Sequence, residues 1–279
     1  MVFLNTLLSS TANQALANLI NIAIRAIIIS PAGVDTFMLK ISTEEVQKIS
    51  DSIESKSAQE VLKWALDTFH PKVGLASSFG AEDVVIIDML AKLRKDAKVF
   101  TLDTGRLNQE TYDVMDAIRD KYNITIDIYF PDQKEVEDMV RERGLNLFYH
   151  SVENRKLCCE IRKVHPLNRA LSNLDAWITG LRRDQVATRA VTKKVEIDSS
   201  HGNIKLNPIA DWTWEMVWDY IKKNDVPYNK LHDKGYPSIG CECCTRAVKL
   251  GEDPRAGRWW WEQDAHKECG LHFDPLKKK

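Results

Sequence analysis

Four of the chain's six cysteines fall in one stretch, "GCECCTRAVKLGEDPRAGRWWWEQDAHKECGLH", residues 240–272. Cys241 and Cys244 form a CxxC, and the two cysteines outside the stretch, Cys158 and Cys159, stand side by side in "RKLCCEIRK". Four thiolates in two pairs suit either zinc or an iron–sulfur cluster, because both take four sulfurs. Zinc sites usually draw each pair from a CxxC whose turn aims both sulfurs at one ion. Neighbouring cysteines point differently, which favours a larger cluster. Alone, a CC pair reads as two small buried hydrophobes, and the later CxxC is what lends it chemistry.

Cys269 has a different setting. In "KECGLH" it has Lys267 and His272 nearby and a glycine after it. Positive neighbours lower a thiol's pKa and raise its thiolate fraction, which makes a nucleophile; the plain alternative is an incidental exposed thiol. Cations recur around these cysteines. Arg162 and Lys163 follow the CC pair, Arg182, Arg183 and Arg189 follow "AWITG" (176–180), and Arg246, Arg255 and Arg258 flank the tail. Any one is most simply a solvated surface residue, but guanidinium groups gathered at one sheet edge grip phosphate or sulfate oxygens bidentately. The Trp259 to Trp261 triplet reads as packing that buries the tail.

The intervening pattern must supply that sheet edge. Residues 42–69 read as helical, with Ser42 or Thr43 at the start. Strand signals at 72–77, 98–102, 124–130 and 176–180 alternate with helical ones at 84–93, 109–122, 134–144 and around 162–173. A hairpin at 193–208 and a helix at 214–224 complete one domain, and after Asn229 the text turns irregular. Strand–helix alternation with short connections predicts a parallel sheet covered on both faces. Ligands then sit beyond the carboxyl ends of strands, where "SSFGAED" (77–83) and "LDTGR" (102–106) fall. Ser77, Ser78 and Gly80 lead into a helix N-terminus, which favours an anion; a serine-rich turn of this kind is otherwise just a cap.

Composition narrows the partners. Lys+Arg 39 against Asp+Glu 40 leaves no basic excess of the sort phosphate backbones demand, so no nucleic acid is expected. Six cysteines in 279 residues are too sparse for a secreted disulfide scaffold, and a cytoplasmic, reducing setting is expected. The apolar stretch "NQALANLINIAIRAIII" carries Gln14, Asn18, Asn21 and Arg25 at helical spacing, an amphipathic pattern short for a span; no membrane is expected. Residues 1–37 read as an extension outside the catalytic domain, with Met38 a second candidate start.

"SSFGAED", "LDTGR", "CCEIRKVHPL", "WITGLRRDQ", "ATR", "YPSIGCECCTRAV", "RAGRWWWE" and "KECGLH" together resemble the assimilatory adenylyl-sulfate reductases of the adenylyl- and phosphoadenylyl-sulfate reductase family. Eight blocks in order make the likeness specific over roughly 42–272. It implies an α/β fold: a single domain, 38–279, with a mostly parallel Rossmann-like sheet of the adenine nucleotide alpha hydrolase-like type, flanked by helices and closed by an irregular catalytic segment, 240–279. It implies thioredoxin-dependent reduction of adenylyl sulfate to sulfite and AMP in sulfate assimilation, through an S-sulfocysteine, by a homo-oligomer. Cys158, Cys159, Cys241 and Cys244 match the ligands of a [4Fe-4S] cluster, and Cys269 matches the catalytic cysteine. Ser77, Ser78, Phe79, Gly80 and Leu102 match nucleotide-binding loops; Lys163, Arg189, Arg255, Arg258 and His272 match positions facing the phosphosulfate, with Lys163 and His272 counted as catalytic. No thioredoxin-like CxxC segment follows in the sequence, so the dithiol, thioredoxin or similar, is expected to be another protein.

Two features depart from the family. Cys243 stands where relatives generally have proline, and the N-terminal extension has no counterpart. Phosphoadenylyl sulfate is the neighbouring substrate. An ATP-using adenylating or tRNA-thiolating enzyme would share the fold and the cysteines and would consume ATP. A non-catalytic zinc protein would be colourless and carry stoichiometric zinc.

Overall fold

The computed structural model describes residues 42–262; the N-terminal extension, Cys269 and His272 lie outside the described residues. Helices α1 (Thr43–Ile53) and α2 (Ala58–Phe69) come first. The single helical stretch expected over 42–69 is broken at Ser57, whose hydroxyl accepts the Glu60 N–H while the Glu60 carboxylate accepts the Ser57 N–H at 2.8 Å. That reciprocal cap starts a second helix.

Alternation follows as expected: β1 (Val73–Ala76), α3 (Ala81–Leu93), β2 (Lys98–Leu102), α4 (Gln109–Tyr122), β3 (Ile126–Tyr129) and α5 (Gln133–Arg143). After it come α6 (Val152–Cys159), a π-turn (Glu160–Val164), α7 (His165–Leu171), β4 (Ala176–Ile178), the β5 (Val195–Ile197) and β6 (Ile204–Leu206) pair, and α8 (Trp214–Lys223). The sheet order is β3-β2-β1-β4-β6-β5, parallel except for the β5–β6 hairpin. This is the α/β architecture that the alternation predicts.

Helix α3 shows why the sheet is covered. Val84, Val85, Ile86, Ile87, Met89 and Leu90 are all buried, as an apolar run without a polar face requires. One charge breaks the run, Asp88, and it is fully met: Tyr122 and Tyr220 donate to it at 2.9 and 2.6 Å, and Lys92 at 2.7 Å. A buried carboxylate persists only with such partners. The chain turns from β2 on one side of β1 to β4 on the other, so the crevice at their carboxyl ends is the switch point of the sheet.

Candidate functional site

At that switch point the end of β1 gives way to "SSFGAED". Phe79 adopts φ 58°, a left-handed conformation that costs a non-glycine residue on the order of 1–3 kcal/mol. Its fully buried ring holds the turn in place, while the Ser77 hydroxyl accepts the Phe79 N–H at 3.0 Å. Helix α3 then begins at Gly80 with no side chain capping it, so its N-terminal N–H groups face the crevice. Asp83 accepts the Ser78 N–H at 2.6 Å and the Ser78 hydroxyl at 2.8 Å. The end of β4 comes so close that a Cβ on Gly180 would lie 2.4 Å from Asp83 Oδ1. Only glycine permits that approach.

Burial pushes the Asp83 carboxyl up to about 6, and Glu82 adds to the rise, against the hydrogen bonds from Ser78. The folded chain therefore holds this proton to higher pH than the unfolded chain does. Its contribution to stability is full below the ordinary carboxylate range and is lost as pH rises through about 6. The unfolding free energy of Asp83→Asn relative to the parent is expected to move in the variant's favour by on the order of 2–3 kcal/mol between about pH 4 and pH 7. Urea denaturation across that range measures it, and a constant difference would show that Asp83 titrates normally.

The crevice opens into a cavity of about 540 Å³, a size suited to a small ligand. Ser77, Ser78, Gly80, Leu102, Lys163, Arg189, Arg255 and Arg258 line it; Phe79 does not, being turned into the core. Arg258 lies buried against Gly240 and donates to Ser238 Oγ and the Ile239 carbonyl, both at 3.2 Å. The other arginines of the sequence reading separate by their partners. Arg182 lines the cavity, but Glu82, at 3.0 Å, and Asp184 meet its charge. Arg183 pairs with Glu54 and Arg246 with Glu252, and neither lines the cavity.

Behind the cavity lies a thiol cage. Helix α6 was not anticipated: Ser151 caps it, accepting the Asn154 N–H at 3.1 Å, and it carries Cys158 and Cys159 into the π-turn with Arg162 and Lys163. Arg162 and Lys163 both line the enclosed space, where the charge of Arg162 acts on the Cys158 thiol and that of Lys163 on Cys244. The CxxC turn is drawn in by Glu242 N–H to the Arg106 carbonyl, 2.9 Å, and by Asn108 Nδ2 to the Gly240 carbonyl, 3.2 Å. Thr104 Oγ1 lies 3.3 Å from Cys241 Sγ, and Arg162 donates to the Thr104 carbonyl at 2.7 Å. Cys158, Cys159, Cys241, Cys243 and Cys244 all face one small enclosed space.

Five sulfurs without a carboxylate or imidazole select thiophilic metals. Among the described residues no three such side chains are grouped as they would be around a single metal ion. Arg162 Nε and Trp259 Nε1, both buried at the cage, have no acceptor among the described residues. Burial pushes the Cys158 thiol up, against the pull of Arg162, so a thiolate there gains from a cationic centre. The Cys244 hydrogen bond, helped by Arg106, brings the Cys243 thiol down to about 6. The cage fits an iron–sulfur cluster.

Residues 258–262 close the cage from outside. Trp259 is fully buried under the guanidinium groups of Arg155 and Arg258, at 4.6 and 4.8 Å. Glu262 accepts from Arg155 Nε and Nη2 at 2.8 and 2.9 Å. The packing expected of the Trp triplet holds for Trp259 and Trp261, while Trp260 is exposed. Sequence reasoning missed Asp83, Gly180 and Thr104; an acid in a first helical turn and a glycine after a strand were the only signals.

A mostly parallel sheet with an uncapped helix N-terminus and a cation-lined cavity at its switch point is an adenine nucleotide alpha hydrolase-like fold. Comparison with known proteins narrows this. A phosphoadenosine phosphosulfate reductase domain is matched over residues 72–247. An adenosine 5'-phosphosulfate reductase of Burkholderia cepacia is 53% identical over 207 residues, 74% of this chain and 83% of the relative. One from Pseudomonas aeruginosa strain LESB58 is 45% identical over 241 residues, 84% of this chain and 89% of the relative. The crystal structure of a phosphoadenylyl-sulfate reductase from Candida auris, a phosphate complex, superposes with TM-score 0.66 at 32% identity, covering 76% of this chain and all of that one (100%). The chain belongs to the adenylyl- and phosphoadenylyl-sulfate reductase family.

Proposed function

We propose that this chain reduces adenylyl sulfate to sulfite and AMP. The observation that carries this reading is the joining of two spaces: a cavity lined by Lys163, Arg189, Arg255 and Arg258 at a helix N-terminus, and a five-thiol cage behind it. The cations and helix end suit the oxygens of a phosphosulfate, and the cavity holds a nucleotide. Relatives named for adenosine 5'-phosphosulfate, at 45–53% identity, favour the substrate without a 3'-phosphate.

Cys158, Cys159, Cys241 and Cys244 would hold a [4Fe-4S] cluster. When bound, its cationic iron–sulfide core would offset the charge of the thiolates that hold it, beside Lys163. In the reaction the Cys269 thiolate forms a bond to the sulfate sulfur, and the bond from that sulfur to the bridging oxygen breaks with its electron pair leaving on AMP. Two anions meet in this step. Lys163, Arg255, Arg258 and His272 offset their repulsion and the charge developing on the phosphate. A dithiol protein such as thioredoxin then attacks Cys269 Sγ, and sulfite departs with the pair of the S–S bond. The second thiol of the partner resolves the mixed disulfide, so the partner becomes oxidised by two electrons and Cys269 returns as thiolate.

Intact-protein mass after anaerobic incubation with adenylyl sulfate and no dithiol tests the reading. One added sulfonate is expected, absent in Cys269→Ser and released as sulfite by reduced thioredoxin. An adduct with only the 3'-phosphorylated substrate would keep the chemistry and change the specificity. No adduct with either would overturn the proposal.

A further inference from the structure

The cage holds five sulfurs, one more than four cluster corners need. Cys243 lines the enclosed space with the other four and is half-buried on the single turn Glu242–Cys244. Its backbone is fixed by Tyr149, whose hydroxyl donates to the Cys243 carbonyl at 2.8 Å. Two observations set its role.

The first is a distance. Cys243 Sγ and Cys244 Sγ are 3.8 Å apart. Two thiolates on one tetrahedral centre, each about 2.3 Å from it, lie about 3.8 Å apart. The two thiols are in hydrogen-bond contact, and the same spacing lets either sulfur reach one metal position. A cubane iron already carries three sulfides and accepts one protein thiolate, so the pair supplies two candidates for a single corner. The second is the wall opposite. Arg162 Nε and Trp259 Nε1 are buried N–H groups that line the same space without an acceptor among the described residues. Acceptor atoms belong in that space, and Cys243 borders it as Cys244 does.

We propose that Cys243 is a reserve ligand for the iron that Cys244 holds, which takes that corner when the Cys244 sulfur is lost. The exchange is a ligand substitution, one thiolate for another, with no change in oxidation state. This inference rests on the cluster reading above.

The test uses the full chain, purified anaerobically as parent, Cys243→Ala, Cys244→Ala and the double variant, with iron and acid-labile sulfide assayed and Mössbauer spectra recorded. About four irons per chain are expected in the parent and in both single variants, and loss of the cluster in the double variant. Alkylation provides a second readout: Cys243 should react in the loaded parent and be protected in loaded Cys244→Ala. Iron in Cys244→Ala no higher than in the double variant would overturn the reserve role, as would a double variant that keeps its cluster. Cys244→Ser replaces Cys244→Ala should the latter not fold, and failure of both to fold and load would count against a reserve ligand. A parent without iron would overturn the cluster reading itself, which separates the two failures.

Discussion

In Lys163→Ala, formation of the Cys269 sulfonate adduct in a single turnover is expected to slow by about 10²- to 10³-fold, the loss typical of removing one preorganised charge-stabilising group. Lys163 sits half-buried on the π-turn and, with Cys241, is one of two described residues lining both the switch-point cavity and the thiol cage. On the proposed reaction its ammonium would face the incoming dianion, and its charge also acts on Cys244 in the cage. Rapid-quench mass spectrometry gives the rate, and iron assay of the same sample separates lost charge from a lost cage. Lys163→Arg should recover part of the rate, because it keeps the charge while its planar fork fits a different geometry. An unchanged rate in Lys163→Ala would remove Lys163 from the chemistry.

The second large effect concerns stability. Arg155 and Glu262 form a bidentate pair with side chains only 4% and 3% exposed. Removing one partner from such a pair leaves a buried charge uncompensated and costs about 3–5 kcal/mol. Glu262→Ala is expected to lose that amount in denaturant unfolding, with a fall in melting temperature of roughly 10 °C. Arg155→Met with Glu262→Leu should be far milder, since no stranded charge remains. Equal losses in the single and double variants would show that packing over Trp259, and not the ion pair, holds this corner. The pair also anchors the last described residues beside the cage, 107 positions along the chain from Arg155.

The parts of this molecule written in local chemistry are legible in its residues. Strand β2 and helix α4 fall at 98–102 and 109–122 as the pattern predicts, because apolar alternation and helical periodicity are short-range signals. The buried character of α3 is equally plain in "VVIIDML". The cage was legible as residue types once the CxxC at Cys241 and Cys244 stood beside the CC pair. Its geometry was not. Helix α6 and the π-turn carry few apolar residues, and what holds them is distant in sequence: Arg155 bonds Glu262, 107 residues later, Cys158 packs with Cys241, Cys244 and Trp259, and Arg162 reaches back to the Thr104 carbonyl. Asp83 looks like an ordinary first-turn acid, and only its meeting with Gly180 and Ser78 makes it part of the site. Arg182 and Arg183 look like substrate cations until Glu82, Asp184 and Glu54 arrive beside them.

Lys163 and Cys241 give the two spaces a common wall. Neither room can be rebuilt without the other noticing. If a ligand that braces Lys163 and the Cys241 turn from the cavity side stiffens the cage, then by thermodynamic reciprocity whatever fills the cage must tighten the hold on that ligand. On the function proposed above, an occupied cavity would guard the cage, and its contents would be most exposed to loss in the intervals between substrates.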